Sequence, residues 1–274
     1  MAREGGKPDE FVKLYGALGN EIARQKALLE SFDIVPTKAP EVGALPRGAI
    51  YLAFDITLAG PYLSRDDRAF HLIADNPVRR EWAFWVPMVA SSTWKGNVRA
   101  AAVTLAESEQ NKEQWAGRVT ELFGPRQAED EQTQEEWEAR KGRVQFLPTY
   151  FDRAEADVIN PRSRTTRKGT QPILMERVPT GVKGRIGMLY VPFDLLHRRD
   201  LEQEKAKDLR LLGTAMASML RESGFGGKKT QPNYGTGEDR IENVVLADDQ
   251  GGIPIELTSA AELWQLPAGA RRRA

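Results

Sequence analysis

The chain has no cysteine and only two histidines, His71 and His197, among its 274 residues. Without cysteine it can form no disulfide, no thiolate zinc site and no cysteine nucleophile. Two histidines are too few for a histidine-rich metal centre. They also provide few candidates for the catalytic histidine of a Ser-His-Asp hydrolase. These absences exclude several enzyme classes and fit a reducing compartment.

Long apolar runs and a net charge are also lacking. No apolar stretch approaches the length of a membrane span, and the N-terminal residues M-A-R-E-G-G-K-P-D lack the apolar core of a signal peptide. Lysine and arginine number 39, as do aspartate and glutamate, so no overall basic field indicates a nucleic-acid binder. The sequence predicts a cytoplasmic protein without membrane contact, in which local patches bind any charged partner.

Positively and negatively charged residues are concentrated in separate runs along the chain. Residues 162–168, R-S-R-T-T-R-K, hold four cations and no acid, whereas residues 129–138, E-D-E-Q-T-Q-E-E-W-E, hold six acids and no cation. A solvated loop or helix face is the ordinary role of such runs, and we favour it for the acidic run.

Hydrophobic periodicity predicts an α+β protein. A helix over residues 9–32 and a Pro- and Gly-rich linker form an N-terminal extension, residues 1–46. Residues 47–274 form the main domain, in which strands and helices follow in the order strand, helix, strand, strand, helix, strand. This βαββαβ order is typical of a ferredoxin-like or RNA-recognition sheet with helices on one face. We interpret residues 107–141 as an acidic helical insertion carried outside the core.

Two of the predicted elements are clear in outline. The strand A-I-Y-L-A-F-D-I-T-L, from Ala49, alternates apolar and polar residues and is expected to be half-buried. A helix is expected to begin near Ser91 or Ser92, where a hydroxyl can cap the backbone donors. Lys95 and Arg99 are four residues apart and share one face of its first turns, where a phosphate could bind. An ordinary solvent-exposed cationic face explains that spacing equally well.

Residues 223–237, S-G-F-G-G-K-K-T-Q-P-N-Y-G-T-G, form a segment that we call the glycine loop. It is not the phosphate-binding loop of an NTPase, because Gly227 is followed by Lys228, Lys229 and Thr230 at the wrong spacing. The loop also follows a helix and not a strand. A simple connection between helix and strand remains the alternative to a phosphate-binding role.

The run from Asp75 to Arg99, D-N-P-V-R-R-E-W-A-F-W-V-P-M-V-A-S-S-T-W-K-G-N-V-R, resembles the motif of the RAMP superfamily proteins of CRISPR effector complexes. In that family an Asp-x-Pro-Val-x-Arg stretch leads into a helix start with Lys-Gly-x-x-Arg. Residues 157–181 are similar to the family's thumb hairpin, which ends in Glu-x-Val-Pro-x-Gly, and G-F-G-G-K-K-T-Q-P-N-Y-G is similar to its glycine-rich loop. The three motifs follow in the family's order, and the thumb is most like that of the repeating backbone subunit of type III systems.

The resemblance implies RNA as the ligand. Guide RNA, target RNA and other effector subunits, including copies of itself, would be the partners. Glycines permit close approach to a backbone and lysines neutralise phosphate. The implied RNA-binding residues are Ser91, Ser92, Lys95, Arg99, Arg162, Arg164, Arg167, Lys168, Gly226, Gly227, Lys228 and Lys229.

Asp75 is the candidate catalytic and metal-binding residue, because an aspartate at the matching position of the family's active subunits promotes metal-assisted cleavage of target RNA. A lone carboxylate can bind hydrated Mg²⁺ beside the scissile phosphate, with the RNA's own 2'-hydroxyl as nucleophile. A turn-forming role before Asn76-Pro77 is the alternative. Asp66 and Asp67 could act in its place.

Other side chains carry weaker expectations. His71 stands among apolar neighbours, where a structural role is commoner than phosphate binding or proton transfer. Trp82, Trp85 and Trp94 could stack bases, but their spacing favours core packing. Two further functions stay open: a non-catalytic structural or capping subunit, and a stand-alone guide-RNA-processing endonuclease, against which the scarcity of histidine argues.

Overall fold

The structure is a computed structural model, and it describes residues 8–64, 74–108, 115, 117–125, 141–159, 171–226 and 234–266. The helices are α1 (Pro8–Ser31), α2 (Ser91–Glu107), α3 (Arg118–Phe123) and α4 (Leu201–Ser218). The strands are β1 (Ile50–Leu58), β2 (Met88–Val89), β3 (Val144–Phe146), β4 (Thr149–Tyr150), β5 (Glu155–Ile159), β6 (Ile173–Arg177), β7 (Lys183–Tyr190), β8 (Gly237–Asp248) and β9 (Gly251–Gly252). The mixed helix-and-sheet class that the sequence predicts is confirmed.

The main sheet has the strand order β3-β7-β1-β8-β9, and its neighbouring strands are antiparallel. Since β1 and β3 both run antiparallel to β7, they are parallel to each other, and β7 lies between them. By the same reasoning β7 and β8 are parallel, with β1 between them. The crossovers that contain α2 and α4 therefore each skip one strand of the sheet.

One face of the sheet packs against α2 and α4. The alternate residues Ile50, Leu52, Phe54, Ile56 and Leu58 of β1 belong to the main hydrophobic cluster, as the period of two predicts. Trp94 and Val98 of α2 are fully buried in the same cluster. The apolar face that the alternation predicts for β1 and the core packing predicted for Trp94 are therefore confirmed.

The opposite face of β1 is less exposed than its polar residues predict. Tyr51 and Ala53 are buried in a second cluster with Ala247, and Leu45 of the linker packs against them. Arg185 of β7 donates a hydrogen bond to the carbonyl of Pro36, also in the linker. The expectation of a half-buried strand is wrong for the first half of β1, because the N-terminal extension covers this face.

Helix α1 packs against an antiparallel hairpin formed by β5 and β6. Tyr15 and Ile22 of the helix share a small hydrophobic cluster with Ala74 and Ala154, against which Val158 and Leu174 of the hairpin pack. Residues 160–170, which follow β5 and precede β6 in the sequence, lie outside the described residues.

Part of the predicted acidic insertion belongs to the core. Trp115 and the α3 residues Leu122 and Phe123 are buried in the main cluster. The expectation that residues 107–141 lie wholly outside the core is therefore wrong, since three large apolar side chains anchor this segment. The acidic run at residues 129–138 lies outside the described residues.

A buried ion network joins α3 to α4 and to the sheet. The fully buried Asp208 of α4 accepts hydrogen bonds from Arg143 (2.8 Å), from Tyr190 (2.7 Å) and from Arg118 of α3. Burial, and next the charge of Asp208, raise the pKa of Tyr190, so its hydroxyl stays protonated and donates. These charges serve the packing of the helices, because partners satisfy the carboxylate inside the core.

Candidate nucleic-acid interface

Asp75 is exposed and lies in a mostly buried segment beside the hairpin β5–β6. Its backbone N–H donates to the carbonyl of Leu174 (2.8 Å), and its carboxylate Oδ2 accepts from the N–H of Leu174 (3.0 Å). Asn76 continues this pairing, because its carbonyl accepts from the N–H of Glu176 (3.0 Å). The side chain of Asp75 therefore has a structural contact with β6.

Glu176 connects the hairpin to the Asp75–Arg80 segment. Its buried carboxylate accepts from the N–H of Val78 (2.8 Å) and pairs with the buried guanidinium of Arg80 (3.1 Å). Tyr15 of α1 donates its hydroxyl to the same carboxylate. Burial, and next the charge of Glu176, raise the pKa of Tyr15, so it remains a donor. Two of the segments that carry the family resemblance are thus held together by one carboxylate.

Helix α2 begins at Ser91, but neither serine caps it. The N-cap position is Ala90, and no side-chain hydrogen bond caps the helix. The predicted hydroxyl cap is wrong, because the chain enters the helix one residue earlier with an apolar residue. Ser91 is half-buried and Ser92 is exposed, so the first turn presents hydroxyl and backbone N–H groups without a side-chain cap.

Lys95 and Arg99 lie on α2, one turn apart, as the sequence predicts. Partial burial, and next the charge of Arg99, lower the pKa of Lys95. Arg99 donates to the carbonyl of Pro125 (3.4 Å). The two cations therefore repel each other, and an anion bound between them would relieve this repulsion.

The glycine loop packs closely on neighbouring parts of the chain. Phe225 is buried against Trp94 of α2, with ring centroids 4.4 Å apart. At Gly235, where φ is 64°, an added Cβ would lie 1.8 Å from the carbonyl oxygen of Phe225. At Gly226, where φ is 135°, it would lie 2.7 Å from the carbonyl of Leu63. The close approach that Gly226 permits is therefore to the protein's own backbone.

Gly226→Val is consequently expected to destabilise the fold. The positive φ and the contact with Leu63 together should cost about 1–3 kcal/mol of unfolding free energy. Chemical denaturation measures this loss, and Gly96→Val on α2 is the control, since an added Cβ there meets nothing within 4 Å. Equal stability of Gly226→Val and the unsubstituted protein would contradict the tight packing of this loop.

The three resembling segments meet around residues 59–64, which follow β1. Tyr62 and Val178 exchange two backbone hydrogen bonds, of 2.9 and 3.0 Å, where the hairpin leads into β7. Pro61 accepts from the N–H of Gly235 (2.9 Å) in the glycine loop. Tyr62 also contacts Phe225, with ring centroids 5.9 Å apart. Segments that are distant in sequence thus form one continuous region.

Several predicted site residues lie outside the described residues. Among the residues that the structure describes, no group of three or more His, Cys, Asp or Glu side chains could hold a metal ion. The predicted residues outside the described ranges are Asp66, Asp67, His71, Arg162, Arg164, Arg167, Lys168, Gly227, Lys228 and Lys229.

The sequence favoured core packing for three tryptophans, and this prediction is correct for only one of them. Trp94 is fully buried, as predicted, but Trp82 is 80% exposed and Trp85 is 50% exposed. Both belong to residues 81–86, which we call the tryptophan turn. Pro87 could have indicated this exposure, because a proline disfavours a helical conformation for the residue before it. A regular helix that buries both Trp82 and Trp85 is therefore not expected there.

Comparisons with known proteins give structural similarities only. No protein-family model and no curated protein sequence matches the chain. A chain in the cryo-EM structure of the type III-B Cmr-beta bound to cognate target RNA is 18% identical, with a TM-score of 0.48, over 93% of this chain and 74% of that one. A chain of a CRISPR RNA-guided surveillance complex is 17% identical, with a TM-score of 0.39, over 60% of this chain and 59% of that one. In the described ranges, no helix is long and apolar enough to cross a membrane.

Proposed function

We propose that this chain is a cytoplasmic RNA-binding subunit of a CRISPR ribonucleoprotein, of the repeating backbone kind found in type III effectors. Its ligands would be the guide RNA and, along the guide, the target RNA. Its protein partners would be other subunits of the same complex, including copies of itself. The N-terminal extension, residues 1–46, would support the main domain, residues 47–274, by covering one face of its sheet and packing against the β5–β6 hairpin.

The observation that carries the proposal is the convergence of the three resembling segments. Their residues are scattered between positions 75 and 237, yet Glu176 binds Val78 and Arg80, and Phe225 packs on Trp94. Motifs that matched by chance would have no reason to contact one another. These contacts are buried, and they hold the three segments side by side, so that one continuous strand of RNA could run across all of them.

The strand order supports a ferredoxin-like core. In this arrangement two βαβ units interlock, so that each crossover skips a strand that belongs to the other unit. The crossovers through α2 and α4 have this property. We therefore assign β1, α2, β3, β7, α4 and β8 to a βαββαβ core and interpret β5–β6 as its thumb-like insertion.

The α2 surface is the proposed phosphate grip. Its uncapped first turn offers backbone donors, and Lys95 and Arg99 add two charges on the same face. The glycine loop follows directly behind it, since Phe225 packs against α2. Lys228 and Lys229 would add charge from that loop, and Arg162, Arg164, Arg167 and Lys168 would add it from the thumb-like hairpin.

Asp75 is the proposed site of RNA cleavage. One exposed carboxylate fits Mg²⁺ only as a partial ligand, because this ion is commonly held by one or two carboxylates together with water and phosphate oxygens. When bound, the ion would stabilise charge that develops on the scissile phosphate. The contact with Leu174 would hold the carboxylate of Asp75 in place on β6 for that role.

Replacing Lys95 and Arg99 together by alanine is expected to weaken binding of single-stranded guide RNA and to flatten its salt dependence. Each lost phosphate contact lowers the slope of log K against log salt by roughly 0.7, so the pair should lower it by roughly 1.4. Fluorescence anisotropy over a series of salt concentrations measures the slope.

A control variant removes the same number of charges elsewhere. Lys38 and Arg240 each have a side chain that is 76% exposed, and neither lies on α2. Lys38→Ala with Arg240→Ala should leave the slope nearly unchanged. A slope that changes equally in the two double variants would mean that net charge binds RNA and that the α2 face has no special role.

A subunit without chemistry is the second candidate, and the environment of Asp75 favours it. The Asp75 carboxylate already accepts from Leu174, and among the described residues it belongs to no group of three or more His, Cys, Asp or Glu side chains that could hold a metal ion. Such a subunit, at a structural or capping position, would keep the phosphate grip and lose cleavage. A guide-processing endonuclease finds less support, since His71 and His197 are the chain's entire supply of histidine.

A further inference from the structure

A slot of about 320 Å³ lies between α1 and the tryptophan turn. Its walls are mostly apolar or aromatic, and its floor is the buried pair of Arg80 and Glu176. It is lined by Tyr15, Leu18, Glu21, Ile22, Gln25, Arg80, Ala83, Phe84, Trp85 and Glu176.

The tryptophan turn is held firmly by its own hydrogen bonds. The carboxylate of Glu81 accepts from the N–H groups of Ala83 (2.8 Å) and Phe84 (2.6 Å). The N–H of Glu81 donates to the carbonyl of Val86 (2.8 Å), which closes the turn. A preorganised turn presents its aromatic side chains at little further cost in conformational entropy.

Arg80 contacts both the backbone and the ring of Trp85. Its guanidinium donates to the Trp85 carbonyl (2.8 Å) and lies 5.9 Å from the centroid of the indole. Trp85 has a φ of 58°, a conformation that is rare for a bulky residue. Strained residues of this kind persist where the surrounding structure enforces them, and they cluster at binding sites. The turn thus holds one half-exposed indole at the slot and a second, on Trp82, almost fully in solvent.

The chemistry of the slot selects a flat ligand with an apolar face and a polar edge. Trp85, Leu18 and Ile22 offer apolar surface. Gln25 and Glu21, whose amide and carboxylate are hydrogen-bonded to each other (2.7 Å), offer a polar edge with one amide N–H and the amide oxygen of Gln25 left for a ligand. The volume is at the small end of ligand pockets. A phosphate group fits poorly, because the cation at the slot, Arg80, is already paired with Glu176. A nucleobase, which stacks by its face and hydrogen-bonds by its edge, fits both features.

The position of the turn joins it to the proposed RNA surface. The tryptophan turn connects the Asp75–Arg80 segment directly to β2 and the first turn of α2. Trp82 and Trp85 therefore lie close in sequence to the α2 residues on which the RNA phosphates are proposed to bind.

We propose that the tryptophan turn and α1 form a nucleobase-binding site, in which Trp85 lines a slot for one base and Trp82 stacks on a base beside it. This inference rests on the proposed RNA-binding function and gives the N-terminal extension a direct part in it. The ligand is an unpaired base of single-stranded RNA, held by stacking and not by its phosphate.

The test compares two probes of equal length: a short single-stranded RNA and an oligomer with the same phosphates and riboses but no bases. Trp82→Ala is expected to weaken binding of the RNA roughly tenfold and to leave binding of the abasic oligomer unchanged. Trp82→Phe, which keeps an aromatic face, should restore most of the loss. At 80% exposure Trp82 contributes little to the core, so the variant should fold normally.

Trp264→Ala is the matched control, since Trp264 is 51% exposed and lies in the short helical turn Ala260–Gln265, far from the turn in sequence. It should leave binding of both probes unchanged. Leu18→Glu, on the opposite wall of the slot, should weaken RNA binding as Trp82→Ala does. Photo-cross-linking with RNA that contains 5-iodouridine should place the link within residues 81–86.

Four outcomes would contradict the site, and the last of them would contradict the proposed function as well. Unchanged RNA binding by both Trp82→Ala and Leu18→Glu would remove it while the proposed function stands. An equal loss with both probes would mean that bases are not what the turn recognises. Unchanged RNA binding with reduced self-association would make the same surface a protein contact. An unsubstituted protein that binds neither probe would contradict the proposed function together with this site.

Discussion

Glu176→Gln is expected to lower the free energy of unfolding by about 3–5 kcal/mol. The substitution leaves the guanidinium of Arg80, whose side chain is 4% exposed, buried without a counter-charge, and breaking one side of a buried ion pair has costs of this size. For a chain of this length the loss should lower the melting temperature by roughly 6–20 °C. Chemical denaturation followed by circular dichroism measures it directly.

Two further variants separate this contact from a general effect of lost charge. Glu242→Gln breaks the pair with Lys183, whose side chain is 59% exposed, and should cost no more than about 1 kcal/mol. Replacing Arg80 and Glu176 together by leucine removes both charges and should recover part of the loss. If Glu176→Gln is as mild as Glu242→Gln, then Glu176 does not join the hairpin to the Asp75–Arg80 segment as the structure indicates.

Asp75→Asn is expected to separate binding of target RNA from its cleavage. Asparagine keeps an oxygen that can accept from Leu174 but loses the charge that attracts Mg²⁺. Affinity in the assembled complex should stay near that of the unsubstituted protein, while cleavage should slow by roughly 100-fold or more, since even the outer-shell partners of metal ligands are worth 10–100-fold. EDTA should abolish cleavage by the unsubstituted complex, and single-turnover assays measure both effects.

Asp33→Asn is the control, because Asp33 is an exposed aspartate just after α1 and should leave cleavage intact. Full cleavage by Asp75→Asn, or cleavage that persists in EDTA, would eliminate Asp75 as the metal-binding residue. Catalysis would then have to come from Asp66, Asp67 or His71, or the chain would be a scaffold. A purely structural Asp75 would instead show itself in Asp75→Ala as a stability loss of about 0.5–2 kcal/mol, by analogy with a lost helix cap.

Local periodicity was sufficient to predict the main elements. The alternation in β1 and the 3.6-residue spacing in α2 identify which residues of each element face the main core, because a sheet and a helix each expose a fixed repeat. The motifs likewise led to α2, the hairpin and the glycine loop. These are the features that depend on neighbours in sequence.

Features that depend on distant partners could not be predicted. Tyr51 reads as a residue of a polar face, and only the folded linker, with Leu45, shows why it is buried. The requirement for glycine at position 226 reads as an approach to RNA, whereas the nearest obstacle is the carbonyl of Leu63. Tyr15 carries no signal in its own helix, since its role depends on Glu176, which is 161 residues away.

The central claim is that this chain holds RNA as part of a CRISPR ribonucleoprotein, and the most direct test is to recover, size and sequence the RNA that co-purifies with the intact assembly. We predict a discrete population of short guide RNAs. Such guides should be depleted when Lys95 and Arg99 are both alanine. An assembly that contains no RNA, or only random fragments of abundant cellular RNA, would contradict the proposed function.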